Sequence, residues 1–283
     1  MKALSSSTKA FYKYVNKRFV IFAKSNNFSS ELPIHQEVIS SFIAHLFNQG
    51  AAFTSVNSYL SALSYFHKIN ELPDSTKNFN VRQILKGYRN SAAQRQSRQP
   101  LSLREVTFLY QSITALGLDT YSASLFGAML TLAFFLGLRI GEMTSSPHNI
   151  LSENVTLNND SIIVRFHSFK HSKASSTHIL RAMPSSFCPV KIIAEYMAVR
   201  GESGGPFFIH SGKAISRSFF SKNFEFILKH SGFDPVFYTP HSLRISAARF
   251  WASKGLSDNQ IRLQGRWQSN AFKKYMKGAI QHK

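Results

Sequence analysis

Between Asn90 and Pro100 the chain reads Asn-Ser-Ala-Ala-Gln-Arg-Gln-Ser-Arg-Gln-Pro, a polar, basic stretch almost without large apolar groups. Such a segment has nothing to place in a core and marks an interdomain linker. The 283-residue chain is long enough for two modest domains on either side of it. The expected division is 1–95 and 96–283, and apolar content of 43% is enough for a core in each.

The first body shows only helical periodicity. Phe11, Val15, Phe19 and Phe22 recur at helical spacing after Ser5–Ser7, a cluster suited to an N-cap. Val38, Ile39, Phe42, Ile43 and Leu46 form a second stripe closed by Gly50; Val56, Tyr59, Leu60, Leu63 and Phe66 form a third; Ile84, Leu85 and Tyr88 mark a short fourth. Four helices with short connections predict a small bundle. Its aromatics read as core, and Lys13, Lys17 and Lys24 face either phosphates or plain solvent.

The second body is mixed. Ser102 and Glu105 have capping-box spacing, and 121–136 reads as an apolar helix stopping near Gly137. Ser161–Phe166 and Thr177–Met183 read as two strands around Ser-Phe-Lys-His-Ser-Lys-Ala-Ser, a hairpin-like unit. Helices are predicted over 188–199, 216–230, 240–254 and 257–264, with a short strand at Phe207–Ile209 and a last short helix from near Ser269 that carries Tyr275. The fold class is therefore mainly α with a small β-hairpin or sheet.

Charge narrows the partner. Lys and Arg number 34 against 14 Asp and Glu, a formal +20. Residues 1–99 hold 13 basic and 4 acidic side chains and residues 100–283 hold 21 and 10, so the excess is not a solvated tail. Two basic bodies point to two surfaces on one polyanion, with double-stranded DNA the expected partner. No stretch approaches ~18 consecutive apolar residues, and no long apolar stretch of a signal peptide follows Met1, so no membrane role is expected. Cys188, the one cysteine, cannot form an internal disulfide or a multi-cysteine metal site, and the 11 histidines lack metal-ligand spacing; no metal or cofactor is expected.

The chemistry-bearing residues lie in the second body. His241-Ser242-Leu243-Arg244 follows Pro240, and three-residue spacing puts His241 and Arg244 on one helix face. An arginine there forks onto phosphate oxygens and a histidine there holds or moves a proton. Gly265-Arg266-Trp267 comes next, then Tyr275 among Lys273, Lys274 and Lys277, a cationic setting that favours phenolate. Upstream, Arg139 sits between Gly137 and Gly141, with Glu142 read as orienting a neighbouring cation.

The order Arg, Lys, His-x-x-Arg, His-or-Trp, Tyr resembles the tyrosine recombinase/integrase family across nearly the whole chain. The phrases FKHSK, HSLRISAARFWASKGLSDNQIRLQGRW and FKKYM are most similar to recombinases of eukaryotic mobile elements, the Crypton and DIRS/Ngaro groups. The resemblance implies an N-terminal core-binding bundle and a C-terminal catalytic domain forming a C-shaped clamp on duplex DNA. It gives Arg139 and Arg244 the scissile phosphate, His241 proton transfer at the nucleophile, and Tyr275 the attack that leaves a 3′-phosphotyrosine and a 5′-hydroxyl. The family lysine protonates the leaving oxygen; Lys170 matches it, with Lys173 as alternative, since hairpin register is not readable from one sequence. The chain departs from the pattern after Gly265, where Arg266 holds the His-or-Trp slot by count and Trp267 follows; both are candidates. The resemblance further implies homo-oligomers on DNA, commonly four per synapse, and work in the nucleus for a eukaryotic element or otherwise in the cytoplasm or nucleoid. Eight residues follow Tyr275, so no long C-terminal docking helix is expected. A non-cutting DNA-binding protein and a type IB topoisomerase-like relaxer remain alternatives.

Overall fold

The computed structural model describes residues 4–91, 98–167 and 175–276. The chain separates into two compact units, residues 1–95 and 96–283.

The first unit is built from α1 (Ser6–Ser25), α2 (Gln36–Asn48), α3 (Phe53–Ile69) and α4 (Phe79–Ser91). The Ser5 side chain accepts from the Thr8 amide and caps α1. Val15, Phe19, Phe22, Ile39, Phe42, Leu46, Leu60 and Leu63 interlock in one core. α4 is three turns long rather than short, and of its expected stripe only Tyr88 is fully buried; Val81 takes the place of Ile84, which is exposed.

The second unit is organised around α6 (Thr120–Phe135), which is apolar on every side and therefore sits inside the core. α5 (Leu103–Ala115) packs beside it and begins with the Ser102/Glu105 capping box. After α6 come the single turn α7 (Ile140–Met143) and a three-stranded antiparallel sheet of β1 (Val155–Leu157), β2 (Ser161–Phe166) and β3 (Ser176–Arg181), in that order across the sheet. β2 pairs with β3 from Ser161 opposite Arg181 to Phe166 opposite Ser176, so the two strands form the expected hairpin, and β1 is an added edge. His178 is buried on β3, edge-on to the ring of Phe166.

α8 (Pro189–Arg200) covers α6 from one side. β4 (Ile209–His210) and β5 (Lys213–Ala214) form a two-residue ladder that shares only Ile209 with the expected strand at 207–209. The rest is α9 (Arg217–His230), α10 (Pro240–Ser253), α11 (Asp258–Gln264) and α12 (Lys273–Met276). α10 packs on α6, and Trp251, Ile261 and Phe272 form a small second cluster against which Trp267 and Tyr275 rest. Among the described residues no helix is long and apolar enough to cross a membrane.

Candidate active site

Three turns converge at the N-terminal end of α10. The first leaves α6 at Gly137, whose φ of +55° suits a residue without a Cβ; an added Cβ would also lie 2.8 Å from Cη2 of Trp251. That turn delivers Arg139 to the start of α7. The second leaves α11 through Gly265, Arg266 and Trp267. Gly265 itself has an ordinary φ, but a Cβ on it would overlap the Trp267 ring, so only glycine lets the indole lie against the chain. The third is α12, which carries Tyr275.

Arg244 ties the first two turns together. It is 2% exposed, and its Nη1 and Nη2 donate to the carbonyls of Gly137 and Gly265. Its guanidinium lies 4.2 Å from the centroid of the Trp267 ring, a cation–π contact. Two of its five N–H groups hold the scaffold, which leaves others for an incoming acceptor. Burial disfavours its charge most, followed by Arg139 and Arg266, while Glu142 and Tyr275 favour it.

His241, on the same face of α10, reaches the nucleophile candidate: Nε2 lies 3.0 Å from the Tyr275 hydroxyl. Its pKa is lowered to about 4 by burial first, then by Arg244, Arg98, Lys274 and Arg139, although the residue keeps an exposed edge. At neutral pH the imidazole is therefore uncharged and can accept the phenolic proton. Tyr275 is also held from behind: Nε of Arg249 donates to its carbonyl at 2.9 Å. The Trp267 ring is 6.2 Å from its own, and Lys274 Nζ is 5.1 Å from its centroid. Lys273, by contrast, pairs with Asp258 at 2.8 Å.

Arg139 is fixed by Glu142. The carboxylate accepts from the Arg139 backbone N–H and from Nη1, both at 2.9 Å, and Arg139 Nη2 donates to the Arg266 carbonyl at 2.9 Å. Glu142 is 1% exposed. Burial alone would raise its pKa, but Arg266, Arg244 and the Arg139 backbone and side chain outweigh that and hold it at about 2. Three guanidinium groups against one carboxylate leave the pocket strongly cationic, a setting for a phosphodiester.

The structure separates the two candidates for the slot after Gly265. Trp267 faces Arg244 and Tyr275. Arg266 points the opposite way: it is 3% exposed, and Nη2 bonds Glu142 Oε2 at 2.9 Å and the Leu136 carbonyl at 3.2 Å. Lys170 and Lys173, with His171 and Lys277, lie outside the described residues; β2 and β3 flank the segment that holds both lysine candidates. Arg139, His241, Arg244, Trp267 and Tyr275 are thus brought together. Sequence reasoning missed Arg249, whose partner is 26 residues away and shares no local motif with it. Among the described residues no cluster of His, Cys, Asp or Glu is arranged to hold a metal.

The model of the phage integrase family matches residues 101–278. No curated protein matches the sequence. A lambda integrase dimer bound to a COC′ core site superposes with a TM-score of 0.67 at 17% identity, covering 100% of this chain and 75% of that one. The Tn1549 transposon integrase in complex with circular intermediate DNA gives 0.67 at 12% identity, covering 100% and 91%. The XerH site-specific recombinase in its post-cleavage complex with a palindromic difH substrate gives 0.66 at 17%, covering 90% and 72%. At these identities the likeness to the solved structures is one of fold.

Proposed function

The chain belongs to the phage integrase family, the tyrosine recombinases, and from that membership and the pocket we propose that it breaks and rejoins duplex DNA with Tyr275 as nucleophile. One observation carries the assignment: His241 Nε2 stands 3.0 Å from the Tyr275 hydroxyl, on the helix that also carries Arg244. The phenolic oxygen attacks the scissile phosphorus as His241 Nε2 takes its proton. Arg139 and Arg244 meet the charge that builds on the non-bridging oxygens, and Trp267 walls the pocket. The phosphorus–O5′ bond breaks, and Lys170, or Lys173 in its place, protonates the departing 5′-oxygen. The product is a 3′-phosphotyrosyl bond and a free 5′-hydroxyl. Attack by a 5′-hydroxyl reverses the sequence and rejoins a strand, so the phosphoester bond is conserved and no nucleotide triphosphate is consumed.

At the finer level we propose a recombinase of a mobile element, of the eukaryotic Crypton or DIRS/Ngaro kind, acting in the nucleus. The basic character of both halves supports the two units, 1–95 and 96–283, as DNA-binding and catalytic domains that work as a homo-tetramer on paired duplexes. A nicked suicide duplex tests the chemistry, because loss of the short 5′-ended fragment blocks rejoining. Wild type is expected to accumulate a denaturant-stable protein–DNA adduct and Tyr275→Phe none. Duplex binding with no adduct from wild type would instead establish a non-cutting DNA-binding protein. Adduct formation with supercoil relaxation but no recombinant product would establish a topoisomerase-like relaxer.

A further inference from the structure

Arg266 occupies a position that its chemistry does not explain by itself. Its φ is +55°, a left-handed conformation that a long L side chain rarely adopts. That conformation brings two results. The Arg266 carbonyl is turned to accept Nη2 of Arg139 at 2.9 Å, and its side chain is directed into the protein. There the guanidinium lies 4.1 Å from the centroid of Phe166, the last residue of β2, and bonds Glu142 Oε2 at 2.9 Å. Glu142 Oε1 is the atom that accepts from Nη1 of Arg139. Arg139 therefore has one terminal nitrogen on the backbone of Arg266 and the other on the carboxylate that Arg266 neutralises.

We propose that Arg266 is a positioning residue that sets the guanidinium of Arg139 against the scissile phosphate, and that it is not itself a phosphate ligand. The proposal rests on the reading of Arg139 as that ligand. A cation at 266 keeps Glu142 from drawing Arg139 wholly inward, since one carboxylate shared by two arginines binds each less tightly than it would bind one. The planar group also spans Phe166, the Leu136 carbonyl and Glu142 at once, which fixes the end of β2 relative to the Arg139 turn. Lysine, with a point charge and no plane, meets only part of this requirement.

The test replaces one non-bridging oxygen of the scissile phosphate with methyl in a suicide duplex. A methylphosphonate is uncharged, so a guanidinium at that oxygen matters less in the transition state. Single-turnover cleavage is compared on both substrates. Arg139→Ala is expected to lose roughly 100-fold or more on the phosphodiester and to regain most of it on the methylphosphonate. Arg266→Lys is expected to lose about tenfold on the phosphodiester, with DNA affinity unchanged, and to be rescued in the same way. Tyr275→Phe is rescued on neither. Rescue of Arg139→Ala without rescue of Arg266→Lys, or undiminished cleavage by Arg266→Lys, overturns the positioning role alone. Failure to rescue Arg139→Ala overturns its assignment as phosphate ligand, and this inference with it. If Arg266→Lys does not fold, the neutral pair Glu142→Gln/Arg266→Met, which removes both buried charges together, takes its place with the same two outcomes.

Discussion

At the residue scale the reaction turns on the protonation state of His241. Its folded pKa of about 4 lies below the ordinary 6.5, so the imidazole stays neutral throughout the physiological range. An imidazole NMR titration of the free protein is expected to place its midpoint near 4; a midpoint near 6.5 would remove the proton acceptor from the account. Gly265→Ala is expected to abolish cleavage, because the new Cβ overlaps the Trp267 ring and displaces both that indole and the carbonyl that holds Arg244. Strand-cleavage assays with a DNA-binding control check this. The pair His241 and Arg244 was legible in the sequence because three-residue spacing on a helix fixes a common face. The direction of Arg266 was not, since nothing in a non-glycine residue announces a positive φ. Nor was the double role of Glu142, whose second partner is 124 residues away.

At the element scale the site depends on how α12 and the β2–β3 hairpin are held. α12 is a single turn and has little stability of its own. Its position comes from the Arg249 bond to the Tyr275 carbonyl, the Lys273–Asp258 pair and burial of Phe272. Arg249→Leu is expected to slow cleavage about tenfold with duplex affinity unchanged, since misplacement of a reacting group acts on the chemical step. The hairpin carries a pH-dependent component. His178 is buried on β3, and burial first, then Arg266, lower its pKa to about 4. The unfolded chain protonates near 6.5 while the folded chain does not, so stability is full above that value and falls as pH drops toward 4. The loss is on the order of 3 kcal/mol. Thermal unfolding from pH 7 to 4 is expected to show a shallower decline in His178→Leu than in wild type. The long periodic helices and the hairpin were readable from sequence. α7 and β1, of four and three residues, were too short to leave a periodic trace.

At the scale of the whole molecule the distribution of charge matters more than its sum. Both units are basic and each has its own core, which suits a protein that meets DNA along two separate surfaces. Duplex affinity is expected to fall steeply and log-linearly with salt, by several powers of ten between about 50 and 200 mM if six or more phosphates are neutralised. A flat salt response would mean that the excess charge serves something other than DNA. The division into two units could be read from the polar stretch 90–100, because absence of apolar side chains is a local property.

The central claim, that the Tyr275 phenol becomes covalently joined to a DNA 3′-phosphate, is tested by locating the linkage itself. Wild-type protein trapped on a nicked duplex can be digested with nuclease and protease and the remaining nucleotide–peptide adduct sequenced by mass spectrometry. The phosphonucleotide is expected on Tyr275, joined through the 3′ side of the nucleotide. An adduct on any other side chain, or one joined through a 5′-phosphate, would contradict the account.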